Sequence, residues 1–192
     1  NPNLKIFVFD DTYEKHYCNI LLNHNISADK KKYKNLVPKN CKLRCGSKYT
    51  LLRDEFFKAK KLKHKIKKDK KTKTIFLAMG GADHSNINIK ILKVIRKVNK
   101  DIKINLVTTS ANKNLKELEE YCANKKWINL EINSNQIARL MIKSNFAIVT
   151  ASVTVNEVCF LGLPIIAIKT ARNQKDMYKY LKQNGYLSIK KY

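Results

Sequence analysis

The sequence predicts an α/β protein built around a parallel β-sheet. Between residues 74 and 185, apolar runs of strand length alternate five times with segments that show the helical period. The apolar runs are almost continuous, which is typical of strands that helices cover on both faces of a sheet. This alternation indicates a doubly wound sheet with right-handed crossovers.

The first part of the chain is less regular. We predict a strand at 5–11 that ends in two acids, and a second short apolar segment at 17–25. A strand, a Gly turn and the start of a helix follow at 41–56. The stretch 58–73 is crowded with lysines, which predicts an exposed segment that is helical at its start.

The regular part of the chain consists of five strand and helix pairs. Ser134 is the predicted N-cap of the third helix, and Gly162 and Gly185 are predicted to close the last two. The predicted strands lie at 74–81, 101–110, 128–132, 146–152 and 164–170, and the predicted helices at 86–98, 114–126, 134–145, 154–162 and 173–185.

Positive charge dominates the composition, with a formal net charge of +25 from 40 basic and 15 acidic residues. Such a balance is typical of proteins that bind nucleic acid. However, only five of the basic residues are arginines, whose guanidinium groups dominate the reading of bases. We interpret the charge as a compositional bias with a solvated lysine tract and expect no nucleic-acid partner. A basic nucleic-acid-binding module remains the alternative.

Five cysteines, an odd number, are spread along the chain. Cys41 and Cys45, with His16 and Cys18 upstream, form one possible zinc-binding set, but their spacing differs from the usual paired ligands. Cys159 lies in an apolar run and is predicted to be a small buried side chain. We therefore expect reduced structural cysteines, no metal and no cofactor.

No signal for export or membrane insertion is visible in the sequence. It has no run of 18 apolar residues, so we expect no membrane-spanning helix and no membrane partner. The first residues lack a signal peptide, and they also lack an initiator Met. We expect a monomeric, cytoplasmic protein that was cut from a longer chain.

Two of the five glycines stand side by side in the stretch IFLAMGGADHSN, residues 75–86. Gly80 and Gly81 follow the first regular strand, at the edge where parallel sheets bind ligands. Glycine lets the backbone approach a phosphate, and the N–H groups of the following helix favour an anion. The alternative is a tight turn without a ligand. The pattern is neither GxGxxG nor a Walker A loop, so it does not favour nicotinamide or ATP.

A second candidate loop is TASVTVNE, residues 150–157, which again follows an apolar strand and opens a helix. Ala151 and Ser152 are small enough for close approach to a ligand. The hydroxyls of Ser152 and Thr154 can donate to a phosphate, and Glu157 can accept from both hydroxyls of a ribose. The alternative is structural, because Thr154 and Glu157 have the spacing of a capping box.

These two loops, in this order, resemble those of the C-terminal, Rossmann-like domain of GT-B-fold sugar-nucleotide enzymes. More narrowly, the chain is similar to the family of UDP-sugar hydrolases of pseudaminic acid biosynthesis, which is related to the GlcNAc transferase that makes lipid II. The similarity is carried by FDD and HYCNILLNHN within 9–25, NLVPKNCKLRCGSKYTLLRDEF at 35–56, MGGAD at 79–83, NLKELEEYC at 114–122, NQIARLMIKSN at 135–145, ASVTVNE at 151–157, ARNQ at 171–174 and NGY at 184–186.

The resemblance implies two domains, of which the first is incomplete. Residues 1–56 would be the remnant of the N-terminal domain with the interdomain segment, and Asp10 and Asp11 would mark the exit of its last strand. Residues 57–73 would be a Lys-rich linker or helix. Residues 74–192 would be the C-terminal nucleotide-sugar-binding domain.

The resemblance also implies roles for single residues. Gly80 and Gly81, with Asp83 beside them, would bind the diphosphate end of a UDP-sugar. Ile137 and Met141 would flank the uracil.

Further implied roles fall on the second loop and its surroundings. Ser152 and Thr154 would meet the diphosphate, and Glu157 would bind the ribose. Asn173 would orient the altropyranose and is the expected catalytic residue. Arg53 would lie near the interdomain cleft, where a salt bridge is its structural alternative.

The reaction implied by the resemblance is hydrolysis of a UDP-linked diacetamido-trideoxy sugar, in a pathway that serves flagellin glycosylation. A histidine takes a proton from the water that attacks the anomeric carbon, with inversion, and backbone N–H groups stabilise the departing UDP. That histidine belongs to an early Gly-rich loop. The histidines at 16, 24, 64 and 84 do not match it, although His84 would lie near a phosphate.

We therefore expect this chain to bind UDP and to hydrolyse little UDP-sugar by itself. A GT-B glycosyltransferase that uses a UDP-sugar donor is the alternative within enzymes. A degenerate, inactive remnant is a further alternative.

Overall fold

The computed structural model describes residues 4–66, 71–83 and 86–189. In this part of the chain, the smaller of two sheets contains β1 (Phe7–Phe9), β2 (Ile20–Asn23) and β3 (Lys42–Cys45). These strands are parallel and lie in the order β1-β2-β3. Short 3-10 helices follow β2 and β3, at Lys30–Tyr33 and Ser47–Tyr49.

The larger sheet is also parallel throughout. In chain order, its strands β4 to β9 lie at Thr74–Ala78, Lys103–Thr108, Ile128–Ile132, Phe146–Thr150, Ile165–Ile168 and Leu187–Ile189. Their order across the sheet is β6-β5-β4-β7-β8-β9.

Helices connect these strands and cover the larger sheet. Helices α1 to α6 lie at Asp54–Leu62, Ile87–Val98, Leu115–Cys122, Ile137–Lys143, Thr154–Phe160 and Lys175–Gln183, with 3-10 helices at Lys63–Lys65 and Arg172–Gln174. Among the described residues, no helix combines the length and the apolar character needed to cross a membrane.

The chain builds the larger sheet from its middle in two directions. It starts at β4, adds β5 and β6 on one side, returns to place β7 on the other side of β4, and continues to β8 and β9. This is the strand order of doubly wound nucleotide-binding sheets, whose ligands lie beyond the carboxyl ends of the strands where the order reverses. The predicted α/β fold with a parallel sheet is confirmed, and the crevice falls between β4 and β7.

Apolar side chains cover both faces of the larger sheet, as its continuous apolar strands require. Along β4, Ile75 and Leu77 pack into a layer with α2 and α3. Phe76 points the other way, into the layer that contains α1, α4, α5 and α6. All three side chains are fully buried, and each contributes about 1.5–3 kcal/mol through the apolar surface that it removes from water.

Helix α1 crosses the boundary that we predicted between residues 56 and 57. Phe56 and Ala59 are buried in the layer with α4, α5 and α6. Just after the helix, Lys63 Nζ donates to two carbonyl oxygens that follow α5, at 2.7 and 2.9 Å. The first half of the predicted linker is therefore docked on the larger sheet.

The helix ends agree with the predicted glycine signals but not with the predicted serine cap. Gly162 and Gly185 have φ angles of 60° and 76° just beyond α5 and α6, the left-handed conformation in which glycine ends helices. Helix α4 begins at Ile137 and not after Ser134. The Ser134 hydroxyl oxygen accepts from the N–H of Gln136 at 3.2 Å, so it closes a turn ahead of the helix, and the predicted cap is wrong.

Candidate functional site

A cavity of about 150 Å³, lined mostly by polar residues, lies between the two sheets. From the smaller sheet it is lined by residues that follow β1 and β2, including Asp11 and Asn25. From the larger sheet it is lined by residues that follow β7 and β8, including Ser152 and Asn173. The carboxyl ends of four strands therefore surround one space, and two of the predicted site residues line it.

Asn156 in α5 connects the two sheets. Its side chain is 1% exposed, its Oδ1 accepts from the N–H of Ile26 at 3.1 Å, and its Nδ2 donates to Asn25 Oδ1 at 3.2 Å. Lys32 and Asp176 add an ion pair of 2.7 Å between the same halves. Asn25 is thus held at the cavity wall by a buried partner, which sequence reasoning missed although a polar residue inside the apolar helix TVNEVCF was a signal for it.

The two acids after β1 differ in role. Asp10 is buried, and its Oδ1 accepts from the N–H and the hydroxyl of Thr12 at 2.8 and 2.9 Å. Its Oδ2 lies 3.7 Å from His16 Nε2. Asp11 is exposed and lines the cavity. Asp10 therefore shapes the turn, and Asp11 faces the space that a ligand would enter.

Each of the two adjacent glycines meets a local structural requirement. Gly80 has a φ of 82°, which other residues adopt only under strain. At Gly81, an added Cβ would lie 2.8 Å from Thr109 Oγ1, and the Thr109 hydroxyl donates to the Gly81 carbonyl at 3.1 Å. The tight-turn interpretation is thus sufficient for both glycines, while the exposed backbone at Gly80 stands at the edge of the crevice beside β7.

Asp83 serves the helix that follows it. Its side chain is buried, and its two carboxylate oxygens accept from the N–H groups of Ile87 and Asn88 at 2.9 and 3.3 Å and from Asn88 Nδ2 at 2.8 Å. We expected the first N–H groups of this helix to be free for a phosphate, and that expectation is wrong for these two. Asp83 is consequently a cap of α2, and His84 lies outside the described residues.

The loop after β7 does not form the capping box that its spacing suggested. The residue before α5 makes no capping side-chain bond. Ser152 Oγ instead pairs with Thr150 Oγ1 at 2.8 Å, and Glu157 pairs with an arginine. Thr154 is the half-buried first residue of α5. The capping box is therefore not formed, and Ser152 and Glu157 have Thr150 and Arg53 as partners instead.

Arg53 stands between two glutamates where α1, α4 and α5 meet. Its Nη1 lies 2.8 Å from Glu55 Oε1, and its Nη2 lies 3.5 Å from Glu157 Oε1. The other oxygen of Glu55 accepts from the N–H of Ala138, in the first turn of α4, at 3.0 Å. Two predicted site residues, Arg53 and Glu157, are thus brought together, and Glu55, which sequence reasoning missed, links them to α4.

The surroundings of Glu157 disfavour its charge. Burial raises the pKa of Glu157, and although the Arg53 guanidinium opposes that shift, the carboxylate of Glu55 adds to it. The Glu157 side chain is only 18% exposed, whereas that of Arg53 is 51% exposed. A carboxylate that is incompletely balanced in this way gains from additional hydrogen-bond donors, such as a pair of neighbouring hydroxyls.

Ile137 and Met141 share α4 but differ in access. Ile137 is the partly exposed first residue of the helix, next to the N–H group that Glu55 binds. Met141 is fully buried in the core layer. The prediction that Met141 contacts a substrate is corrected on this ground, since the side chain supports α4 from within.

The cysteines and histidines of the described residues do not form a metal centre. Cys18 Sγ lies 3.5 Å from Cys41 Sγ. Burial raises the pKa of Cys18 to about 11, which keeps the thiol protonated and so a poor metal ligand.

Comparison with curated proteins gives a relative over almost the full chain. Over 183 residues, or 95% of the chain, the sequence is 37% identical to the UDP-2,4-diacetamido-2,4,6-trideoxy-beta-L-altropyranose hydrolase of Campylobacter jejuni. The chain is a homologue of this hydrolase. The resemblance that the sequence motifs indicated is confirmed, and the chain spans 64% of the hydrolase's length.

A second relative of the chain is uncharacterized protein MJ1062 of Methanocaldococcus jannaschii. It is 31% identical over 187 residues, which is 93% of the chain and 38% of that protein. Like the hydrolase, it is longer than this chain. No family model matches the sequence.

Solved structures confirm the GT-B-like fold of this chain. MurG of Acinetobacter baumannii superposes with a TM-score of 0.56 at 12% identity, covering 88% of the chain and 52% of MurG. TarM superposes with a TM-score of 0.51 at 10% identity, covering 91% of the chain and 34% of TarM. At these identities the likeness concerns the fold alone.

Proposed function

We propose that this chain provides the nucleotide-sugar site of a UDP-sugar hydrolase in pseudaminic acid biosynthesis, which releases a diacetamido-trideoxy sugar and UDP. The observation that carries the proposal is the 37% identity to the Campylobacter jejuni hydrolase over 95% of the chain. The geometry supports it, because Arg53, just before α1, pairs with Glu157 in α5. Helix α5 follows β7, which borders the crevice where doubly wound sheets bind nucleotides.

In this proposal, the uridine end lies against α4 and α5. Glu157 accepts hydrogen bonds from the two ribose hydroxyls, which supply the donors that its incompletely balanced charge favours. Ile137 packs against the uracil. Arg53, which is half exposed, offers its guanidinium to the diphosphate. The exposed backbone of Gly80 and the half-buried Gly81 beside it approach the diphosphate from β4.

The sugar end occupies the cavity between the two sheets. Ser152 lines this cavity on the side of β7 and donates to the diphosphate. Asn173, which follows β8, lines the same space and orients the sugar. Asp11 and Asn25 form the opposite wall, and carboxylate and amide groups of this kind are suited to the hydroxyl and acetamido groups of a sugar.

The chemistry is a displacement at carbon. The oxygen of a water molecule bonds to the anomeric carbon, the bond from that carbon to the diphosphate oxygen breaks, and UDP leaves with the electron pair. The water's proton passes to a base, which the resemblance implies to be a histidine. Since none of the four histidines matches that base, we propose that this chain binds UDP and turns over little substrate.

Isothermal titration of the 192-residue chain with UDP tests the proposal directly. We expect a measurable heat with one site per chain, and a weaker response with Glu157→Ala. Asp54→Asn, which removes one exposed acid next to the site, should bind UDP as the unaltered chain does. A chain that is folded by circular dichroism but gives no heat with UDP would overturn the proposal.

Product analysis distinguishes hydrolysis from glycosyl transfer. With a UDP-sugar, we expect the residual turnover to release free sugar at the same rate whether or not an acceptor is present. A product that forms only when an acceptor is added would replace the hydrolase by a glycosyltransferase of the same fold.

A further inference from the structure

Arg53 is held unequally by its two carboxylate partners. The contact to Glu55, at 2.8 Å, has the length of a good charge-assisted hydrogen bond, whereas the contact to Glu157, at 3.5 Å, is at the limit of one. The ring of Phe56 lies under the guanidinium, 5.3 Å from Arg53 Cζ, and Phe56 is fully buried. Arg53 is therefore anchored from the side of α1, and its contact with Glu157 is the weaker of the two.

The second carboxylate oxygen of Glu55 binds α4. Its Oε2 accepts from the N–H of Ala138 at 3.0 Å, and Ala138 is 1% exposed. This bond ties the start of α1 to the first turn of α4, which also carries Ile137. One carboxylate thus fixes both the guanidinium beside Glu157 and the position of the adjacent helix.

We propose that Glu55 is a positioning residue of the nucleotide site, which holds Arg53 in place when Glu157 turns to the ligand. The inference rests on the proposed function, since it assigns Glu157 to the ribose and Arg53 to the diphosphate. In the free protein, Glu157 and Glu55 share one guanidinium. When the ribose hydroxyls engage Glu157, Arg53 keeps its shorter contact to Glu55 and remains aimed at the diphosphate.

A purely structural role for Glu55 makes a different prediction. An acid in the first turn of α1 would stabilise that helix through its dipole, and its loss would lower the melting temperature without changing the affinity for a ligand. A positioning role acts through Arg53. It therefore changes the affinity for UDP more than that for uridine, which lacks the phosphates, and the change disappears when Arg53 is absent.

The decisive variant is Glu55→Gln, which keeps the shape and an acceptor for the Ala138 N–H but removes the charge that holds Arg53. In titration calorimetry, we expect it to weaken UDP binding about fivefold, as for one partly exposed charge-assisted contact, and to lower the ratio of UDP affinity to uridine affinity. In an Arg53→Ala background, Glu55→Gln should have no further effect. Asp54→Asn, with the same change of charge one residue away, is the matched control.

Two outcomes would overturn the positioning role. One is UDP binding by Glu55→Gln that equals that of the unaltered chain, and the other is a loss that persists in the Arg53→Ala background. Glu55→Ala also removes the bond to the Ala138 N–H in α4 and should therefore weaken uridine binding too. If Glu55→Ala fails to fold, the isosteric Glu55→Gln decides the question. Failure of the unaltered chain to bind UDP would instead count against the proposed function.

Discussion

At the scale of single residues, Glu157 carries a charge that its surroundings disfavour. Its pKa is raised from 4.5 by burial, against the opposing effect of Arg53. Because the folded chain then binds a proton more readily than the unfolded chain, stability falls as pH rises from 4.5 to the raised value, and the penalty persists at neutral pH. In the proposed site, the ribose hydroxyls donate to this carboxylate, and its charged form is the stronger acceptor.

Glu157→Gln is therefore predicted to separate stability from binding. Since Arg53 keeps its ion pair with Glu55, we expect the urea midpoint of the variant at pH 7 to equal or exceed that of the unaltered chain. Below pH 4.5, where Glu157 is itself neutral, the two midpoints should coincide. UDP affinity should drop by about tenfold, because a hydrogen bond to a charged acceptor is lost. In the unaltered chain, UDP affinity should decline on acidification at a higher pH than an ordinary glutamate would give. A destabilised variant with unchanged UDP affinity would contradict this account.

Single residues also mark the limit of what the sequence can predict. Glu157 and Arg53 stand out through motifs, but Glu55 does not, since its partner Ala138 is 83 positions away along the chain. Met141 and Ile137 lie on one apolar helix, and composition alone does not reveal which of them faces the core. The position of Asp83 beside the two glycines suggests contact with a ligand, yet its carboxylate caps α2.

At the scale of elements, the loop after β4 is fixed by its neighbour after β5. Gly81 has no room for a Cβ, because the Thr109 side chain lies against it. Gly80 has open space around it, with nothing within 4 Å of an added Cβ, but its φ of 82° strains other residues. Two adjacent glycines are therefore required for two different reasons.

The variants Gly81→Ala and Gly80→Ala should respond differently to a change at Thr109. We expect Gly81→Ala to lower the free energy of unfolding by about 1–3 kcal/mol through overpacking, and Thr109→Ala to recover part of that loss because it removes the two nearest atoms. Gly80→Ala should cost about 1–2 kcal/mol through backbone strain, and Thr109→Ala should leave that cost unchanged. Urea titrations of the single and double variants measure both couplings, and strict additivity for Gly81 would refute the steric explanation.

Elements of the larger sheet were predictable because they obey a local rule. Continuous apolar runs predict buried parallel strands, and Gly162 and Gly185 predict where helices α5 and α6 end. The position of α1 was not predictable in the same way. Its lysines resemble those of a free linker, and the burial of Phe56 and Ala59 in the larger sheet's core, together with the Glu55 bond to α4, places it with the C-terminal part.

At the scale of the whole molecule, polar bonds join the two sheets, and among the described residues that make the bonds given above, Asn156 is the most buried. Its amide satisfies the N–H of Ile26 and the side chain of Asn25. Without it, these groups would remain in the interface with an unmet hydrogen-bonding requirement.

Asn156→Ala is predicted to destabilise the chain by about 2 kcal/mol and to loosen the contact between the sheets. Trp127 fluorescence reports on the larger sheet, and far-UV circular dichroism reports on both. We expect the two urea transitions to coincide in the unaltered chain and to separate in the variant. The exposed Asn135→Ala is the control and should change neither. Coincident transitions and full stability in Asn156→Ala would show that the sheets are joined by other contacts.

The reversal of strand order between β4 and β7 has a consequence for cooperativity. These neighbours are supplied by separate stretches of chain, so the crevice forms only after both have assembled into one sheet. A nucleotide seated there would have no affinity for a half-built sheet, and its binding energy would oppose global opening. At a hundredfold excess over its dissociation constant, this adds about 2.7 kcal/mol, which should appear as slower hydrogen exchange in β4 and β7 together.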